Sequence, residues 1–285
     1  MRTAGLKLVN NELELNGHKF KELEKQFKTP LYILDEAELN KNIKLIKDNF
    51  TTSMFTPHIV YASKALLTPT IANIMDEAGF GIDAVSIGDL HILKESNFPF
   101  FKVVFHGNNK QVEELSYALE NGVGIIVVDN LEELKLIDDL SKKLNKKTTI
   151  LIRINPHVDA HTHKYIATSV VASKFGISID DDFIPDVLRI TTKNNLISFV
   201  GFHIHIGSSI FNYEVYREAI SKIVSLINDI NNKYHLSLSI LNIGGGFGVP
   251  YTSEEKVIKM DEYMKFITAY LEDEICKTNS LIKDV

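Results

Sequence analysis

The sequence predicts an α/β fold, a parallel (β/α)8 barrel of the TIM type, and three observations predict it. Short β-branched runs recur along the chain, most of them about 20 to 25 residues apart, which is the length of one strand, turn and helix in a parallel sheet. Several runs are apolar on both faces, as strands buried between layers must be. Polar residues gather at the C-terminal ends of the runs, and in a barrel those ends ring a single mouth where catalytic groups collect.

In order, the segment LKLVNNELELNGH (6–18) alternates and reads as a hairpin-like strand that a barrel does not need. It must pair with something else, and composition marks no internal boundary along the chain. The barrel runs are HIVYAS (58–63), FGIDAVS (80–86), KVVFHG (102–107), GIIVVDN (124–130), TTILIRIN (148–155), ISFVGFHIHIG (197–207) and LSILNIGGG (238–246). Between them, residues 70–78, 110–121, 131–144, 184–191 and 213–234 place apolar side chains at three- and four-residue steps, the pattern of helices with one buried face. No glycine fingerprint follows the first run, which argues against a doubly wound sheet. Seven runs leave the barrel one strand short.

The 285 residues are 45% hydrophobic, enough for a large core. With 31 Lys+Arg against 37 Asp+Glu, a net charge of −6 and no basic cluster, the chain does not read as a nucleic-acid binder, and a small-molecule partner is expected. The single cysteine, Cys276, forms no intrachain disulfide and is assigned no chemistry. No run has the length of a membrane span or the form of a leader peptide, so a soluble, cytoplasmic protein is expected.

Lys64 closes the first barrel run. An amine there loses hydration, which lowers its pKa and makes it a nucleophile toward carbonyls; the alternative is a lysine that snorkels to solvent. In NIGGGFGVPY, three successive glycines after a strand allow close approach to an anion, or simply a tight turn. His203 and His205 in GFHIHIGSS share one strand face. His205 suits stacking on a flat ligand, His203 a satisfied structural role, and Gly207-Ser208 offers donors to a phosphate. A His-x-His pair also suits a metal-dependent hydrolase, with His161 and His163 nearby in sequence, although acidic co-ligands are sparse. Arg153 and Lys174 either orient a ligand or close salt bridges.

Taken together, YASKA, GFGIDAVSIGDL, VVFHGNNK, VDNLEEL, RINP, SKFGI, GFHIHIGSS and LNIGGGFGVPY, preceded by KTPLYILD (28–35), resemble the alanine-racemase-like, fold-type III pyridoxal-phosphate decarboxylases. The motifs stand in that family's order over nearly the whole chain, and they lie nearest the branch that converts meso-diaminopimelate to L-lysine. The resemblance implies that Lys64 binds the cofactor aldehyde and that His205 stacks on its ring. It implies that Ser208 and the backbone of Gly244, Gly245 and Gly246 hold the phosphate, while Asp83 and Arg153 line the pocket. No metal is implied, and the longer family members are homodimers.

The departures are as specific. The family's Glu-Pro-Gly-Arg segment, its Cys-Glu-x-x-Asp motif and a C-terminal β-domain are absent from this sequence, and EDEIC (272–276) has the wrong order and place. Ser208-Ser209 stands where Ser-Gln is usual, and DAHTHKYIATS where a glycine-containing loop is usual. The resemblance implies that residues 1–27 are a strand and helix that join the β-domain in longer members and that 28–285 are an incomplete cofactor-binding barrel. The expectation is the N-terminal two-thirds of a longer decarboxylase, lacking the last barrel strand and negligibly active alone. A non-catalytic pyridoxal-phosphate carrier, a decarboxylase of other basic amino acids and a metal-dependent hydrolase are the competing expectations.

Overall fold

The alternating N-terminal segment folds as an antiparallel meander of β1 (Leu6–Val9), β2 (Glu12–Leu15) and β3 (His18–Lys19) in a computed structural model that describes residues 5–158, 174–249 and 259–285. Asn10 and Asn11 turn the hairpin with φ of 49° and 64°, the left-handed pair whose twist matches the flanking strands. Leu8 and Leu13 face each other across it and stay exposed. Helices α1 (Phe20–Phe27) and α2 (Glu36–Asn49) follow.

All seven expected runs become strands of a second, parallel sheet: β4 (Val60–Ala62), β5 (Gly81–Ala84), β6 (Val103–Phe105), β7 (Ile125–Val128), β8 (Thr148–Asn155), β10 (Ile197–Ile204) and β11 (Ile240–Asn242). Their order is β11-β10-β8-β7-β6-β5-β4, and a two-residue strand, β9 (Ile177–Ser178), pairs with β8. The helices between them are α3 (Pro69–Glu77), α4 (Ile87–Glu95), α5 (Val112–Asn121), α6 (Leu131–Leu144), α7 (Ile184–Thr191), α8 (Glu214–Tyr234) and α9 (Met260–Thr278). Helix α4 is not evident from the sequence because Ser86 looks like a strand-end polar residue. Its side chain instead accepts the Asp89 N–H at 3.2 Å and caps the helix.

The strand alternation sorts side chains into two layers. Ile82, Phe105, Ile126, Ile150, Ile152, Phe202 and Ile204 join the helices in the main core. Val104, Val127 and Leu151, packed by Val60, Ile125, Val200 and Ile240, form a separate apolar plug inside the curl of the sheet. With a period of two, the next inward position along each strand lies toward the mouth. Val104 is followed by His106, Val127 by Asp129, and Leu151 by Arg153.

The expected gap of one strand is partly filled. Among the described residues no strand lies between β11 and β4 to close the barrel, but residues 283–285 enter that place between β11 and the segment before β4. Asp284 bridges in parallel to both Ile240 and Thr56. Leu241 donates to the Asp284 carbonyl at 3.0 Å, while Thr56 and His58 donate to Lys283 and Val285 at 2.7 and 2.6 Å. Among the described residues, no helix is long and apolar enough to cross a membrane.

Candidate active site

Five adjacent strand ends deliver five polar side chains to one place. Lys64 follows β4 on a single 3₁₀ turn, Ser63–Ala65, and is exposed; its ammonium makes no hydrogen bond or ion pair among the described residues. Asp83 ends β5 within electrostatic reach of Lys64 and Arg153. Burial outweighs both cations and raises its carboxyl to about 7. Its Oδ1 is buried and lacks a hydrogen-bond partner among the described residues, although His106 Nε2 stands 3.4 Å away. His106 is itself held neutral, since burial and then the neighbouring Arg153 and Lys110 cations push its pKa well down. This contact is therefore not an ion pair.

Across the mouth, Asp129 Oδ1 lies 3.6 Å from Arg153 Nη1, too far for a hydrogen bond, and both side chains are buried. The Arg153 guanidinium lies over the Phe175 ring at 4.5 Å, a cation–π contact. Deeper in, His203 meets His106 edge-on with ring centroids 4.5 Å apart. It departs from the satisfied histidine that the sequence suggested, because its buried Nδ1 has no hydrogen-bond partner among the described residues. Burial pushes its pKa well down too.

The opposite wall is backbone. Gly244 and Gly246 adopt φ of +70° and +99°, and a Cβ on Gly246 would sit 1.9 Å from the Gly207 carbonyl, so only glycine fits there. The loop carrying Ser208 is zipped against this turn: Ile210 donates to Gly246 at 2.9 Å, and Gly248 donates to Ile210 at 2.8 Å. Tyr216 braces the turn from beneath by donating to the Gly245 carbonyl at 2.9 Å, and Tyr263 donates to the Ile210 carbonyl. Of the three glycine N–H groups, that of Gly244 is taken by Asn242 Oδ1 at 2.8 Å and that of Gly245 by His205 Nδ1 at 3.4 Å. The Gly246 N–H and the Ser208 hydroxyl make no hydrogen bond among the described residues, so both can donate to an anion at this turn. His205 is pushed down to about 3 by burial, then by Arg153 and Lys64, so its ring is neutral.

The arrangement offers an amine for a carbonyl, a neutral aromatic ring and donors for an anion around a floor of buried polar groups. The structure thus gathers Lys64, Asp83, Arg153 and His205 with the Ser208 and glycine loops. Lys174 instead lies over the Phe175 ring. His161 and His163 fall outside the described residues; within them, no group of three or more His, Cys, Asp or Glu side chains could hold a metal.

One buried pair escapes sequence reasoning. Lys110 and Glu133 join at 2.6 Å with side chains 2% and 5% exposed. Lys110 looks like the solvent-facing start of a helix, and Glu133, three residues after the capping Asn130, looks like part of a helix cap. The one sequence signal for the pair is that both stand just past strand ends.

The family described as pyridoxal-dependent decarboxylase, pyridoxal binding domain, matches residues 36–283. The diaminopimelate decarboxylase of Bacillus methanolicus is 38% identical over 255 residues, covering 90% of this chain and 59% of that protein. That of Bacillus subtilis is 36% identical over 258 residues, with the same coverage. Among solved structures, diaminopimelate decarboxylase from M. jannaschii superposes with a TM-score of 0.86 at 27% identity, covering 98% of this chain and 64% of that one. The same enzyme in complex with L-lysine gives 0.86 at 26% identity, over 99% of this chain and 65% of that one. The chain thus spans about three-fifths of the length of these relatives.

Proposed function

The chain belongs to the pyridoxal-dependent decarboxylases, and from that premise we propose that its barrel mouth holds pyridoxal 5′-phosphate and serves decarboxylation of meso-diaminopimelate to L-lysine. Lys64 carries this reading: it is an amine at the end of the first barrel strand with no hydrogen bond or ion pair among the described residues, beside a carboxyl raised to about 7. The residues fit the cofactor. Lys64 would take its aldehyde, the Gly246 N–H and the Ser208 hydroxyl would meet its phosphate within the turn formed by Gly244, Gly245 and Gly246, and the His205 ring would lie against its pyridine. When bound, the cofactor supplies a sink for the electron pair left behind as the carboxylate departs.

The chain's own residues set the conditions for that chemistry. His205, held neutral, brings an aromatic face with no positive charge of its own. Asp83 can accept or release a proton beside the Lys64 amine within the working pH range. Arg153, fixed between Asp129 and Phe175, keeps a cation at the pocket wall. The apolar plug of Val104, Val127 and Leu151 supports His106, Asp129 and Arg153, each two residues further along its strand.

The choice of substrate is supported by the relatives named diaminopimelate decarboxylase and by the L-lysine complex of the similar M. jannaschii enzyme. These 285 residues contain no Glu-Pro-Gly-Arg segment to supply an acid for the ring nitrogen, so the isolated chain is expected to bind cofactor yet decarboxylate negligibly. A cytoplasmic location and a homodimeric assembly belong to the same reading. Adding pyridoxal phosphate to the purified chain should produce the visible absorption of a lysine-bound cofactor, and Lys64→Ala should abolish it. A chain that stays colourless overturns the cofactor reading. Measurable release of carbon dioxide from diaminopimelate overturns the expected inactivity.

A further inference from the structure

Lys110 and Glu133 are the buried charges that the proposed chemistry leaves unused. The Lys110 ammonium has three protons and meets three acceptors: the Gly107 carbonyl at 2.8 Å, the Val127 carbonyl at 2.7 Å and Glu133 Oε1 at 2.6 Å. One saturated atom thereby ties together the loop after β6, the end of β7 and the first turn of α6. The second Glu133 oxygen accepts the Asp129 backbone N–H at 3.4 Å. Asp129 in turn faces Arg153 at 3.6 Å, and Arg153 lies over Phe175. The contacts run unbroken from the Lys110 node to the Arg153 cation at the pocket wall.

Stability does not explain such a pair. A buried ion pair is roughly matched or exceeded by apolar side chains of the same volume, because desolvating two charges offsets their attraction. Directional hydrogen bonds are what it offers and what apolar packing lacks: three fixed acceptors on three separate elements. We infer that Lys110 and Glu133 are positioning residues, which lock the ends of β6 and β7 so that Asp129 presents Arg153 to the cofactor pocket. This inference rests on the pyridoxal-phosphate reading of that pocket.

The test replaces the pair as a unit. Lys110→Met with Glu133→Leu removes both charges at similar volume. The double variant should unfold at nearly the wild-type temperature, yet release bound pyridoxal phosphate about ten-fold faster, with its visible band displaced, as expected for residues coupled within one network. A double variant with wild-type melting, band and release rate overturns the inference, since a purely structural pair would behave so. If the double variant does not fold, Glu133→Gln keeps an acceptor for Lys110 while removing the charge. Faster release from that folded variant supports the inference, and unchanged release overturns it. Failure of the wild-type chain itself to take up the cofactor would sink the cofactor reading and this inference together. A wild-type band with unaltered variants sinks this inference alone.

Discussion

The two halves of the barrel mouth are built from different materials. From β5 to β8 the wall consists of side chains: Asp83, His106, Lys110, Asp129 and Arg153, largely buried and set among one another. From β10 to β11 it consists mainly of backbone: the Gly244, Gly245 and Gly246 turn and the Ser208 loop zipped to it, with His205 lying alongside. In the first half, function depends on which charges are paired, and a lost partner strands a buried charge. In the second, it depends on where the chain can pass, and an added methyl blocks it. The same mouth should therefore fail in two distinguishable ways.

The largest expected effect breaks the charged half. Glu133→Leu alone leaves the Lys110 ammonium buried with two carbonyls and no counter-charge, and should cost about 3–5 kcal/mol of unfolding free energy. Chemical denaturation measures this. A loss below about 1 kcal/mol would mean that the pair is not buried as described.

The corresponding break in the backbone half is Gly246→Ala. At φ +99° with a carbonyl 1.9 Å from the new Cβ, the turn must distort. Strain of this kind costs about 1–3 kcal/mol at a single residue. The variant should lose uptake of pyridoxal phosphate, read as absorbance, while the charged half keeps its geometry.

This contrast also accounts for what the sequence disclosed. The backbone half was legible because an ordinary turn rarely needs three consecutive glycines directly after a strand, and Lys64 because a lysine closing an apolar strand is unusual. In the charged half, the inward polar residues follow the apolar plug by two positions, so their place was readable from strand period alone. Their partnerships were not. Lys110 meets Glu133 across 23 residues of chain, and His106 meets His203 across the barrel; local pattern carries no signal for either. The closing seam was hidden for a related reason. Residues 283–285 are too few to show a strand pattern, and they pair through backbone groups that any sequence supplies.

One residue from each half, Asp83 and His205, responds to pH with opposite sign. Asp83 is raised from 3.8 to about 7, so its folded form binds a proton that the unfolded chain has released, and the wild type loses stability as pH rises across that window. His205 is lowered from 6.5 to about 3, so the unfolded chain binds the extra proton and the wild type gains stability as pH rises from about 3 to 6.5. Relative to wild type, Asp83→Asn should gain stability from pH 4 to 7 and His205→Asn should lose it from pH 4 to 6.5. Each slope approaches about 1.4 kcal/mol per pH unit. Denaturation of the cofactor-free chain across pH 4 to 8 reads both, and slopes of the same sign would remove the electrostatic distinction between Asp83 and His205.

The smallest effect sharpens the backbone half from within. Gly245 stands between two glycines with positive φ, yet a Cβ built on it meets nothing within 4 Å. Its N–H turns toward His205 Nδ1, which any residue at this position would still supply. Gly245→Ala should therefore change stability by less than about 0.5 kcal/mol and leave cofactor uptake intact. If it abolished uptake as Gly246→Ala does, the turn would be reading glycine for openness to a bulky ligand rather than for backbone conformation. The phosphate would then have to press on Gly245 itself, instead of meeting the N–H of Gly246.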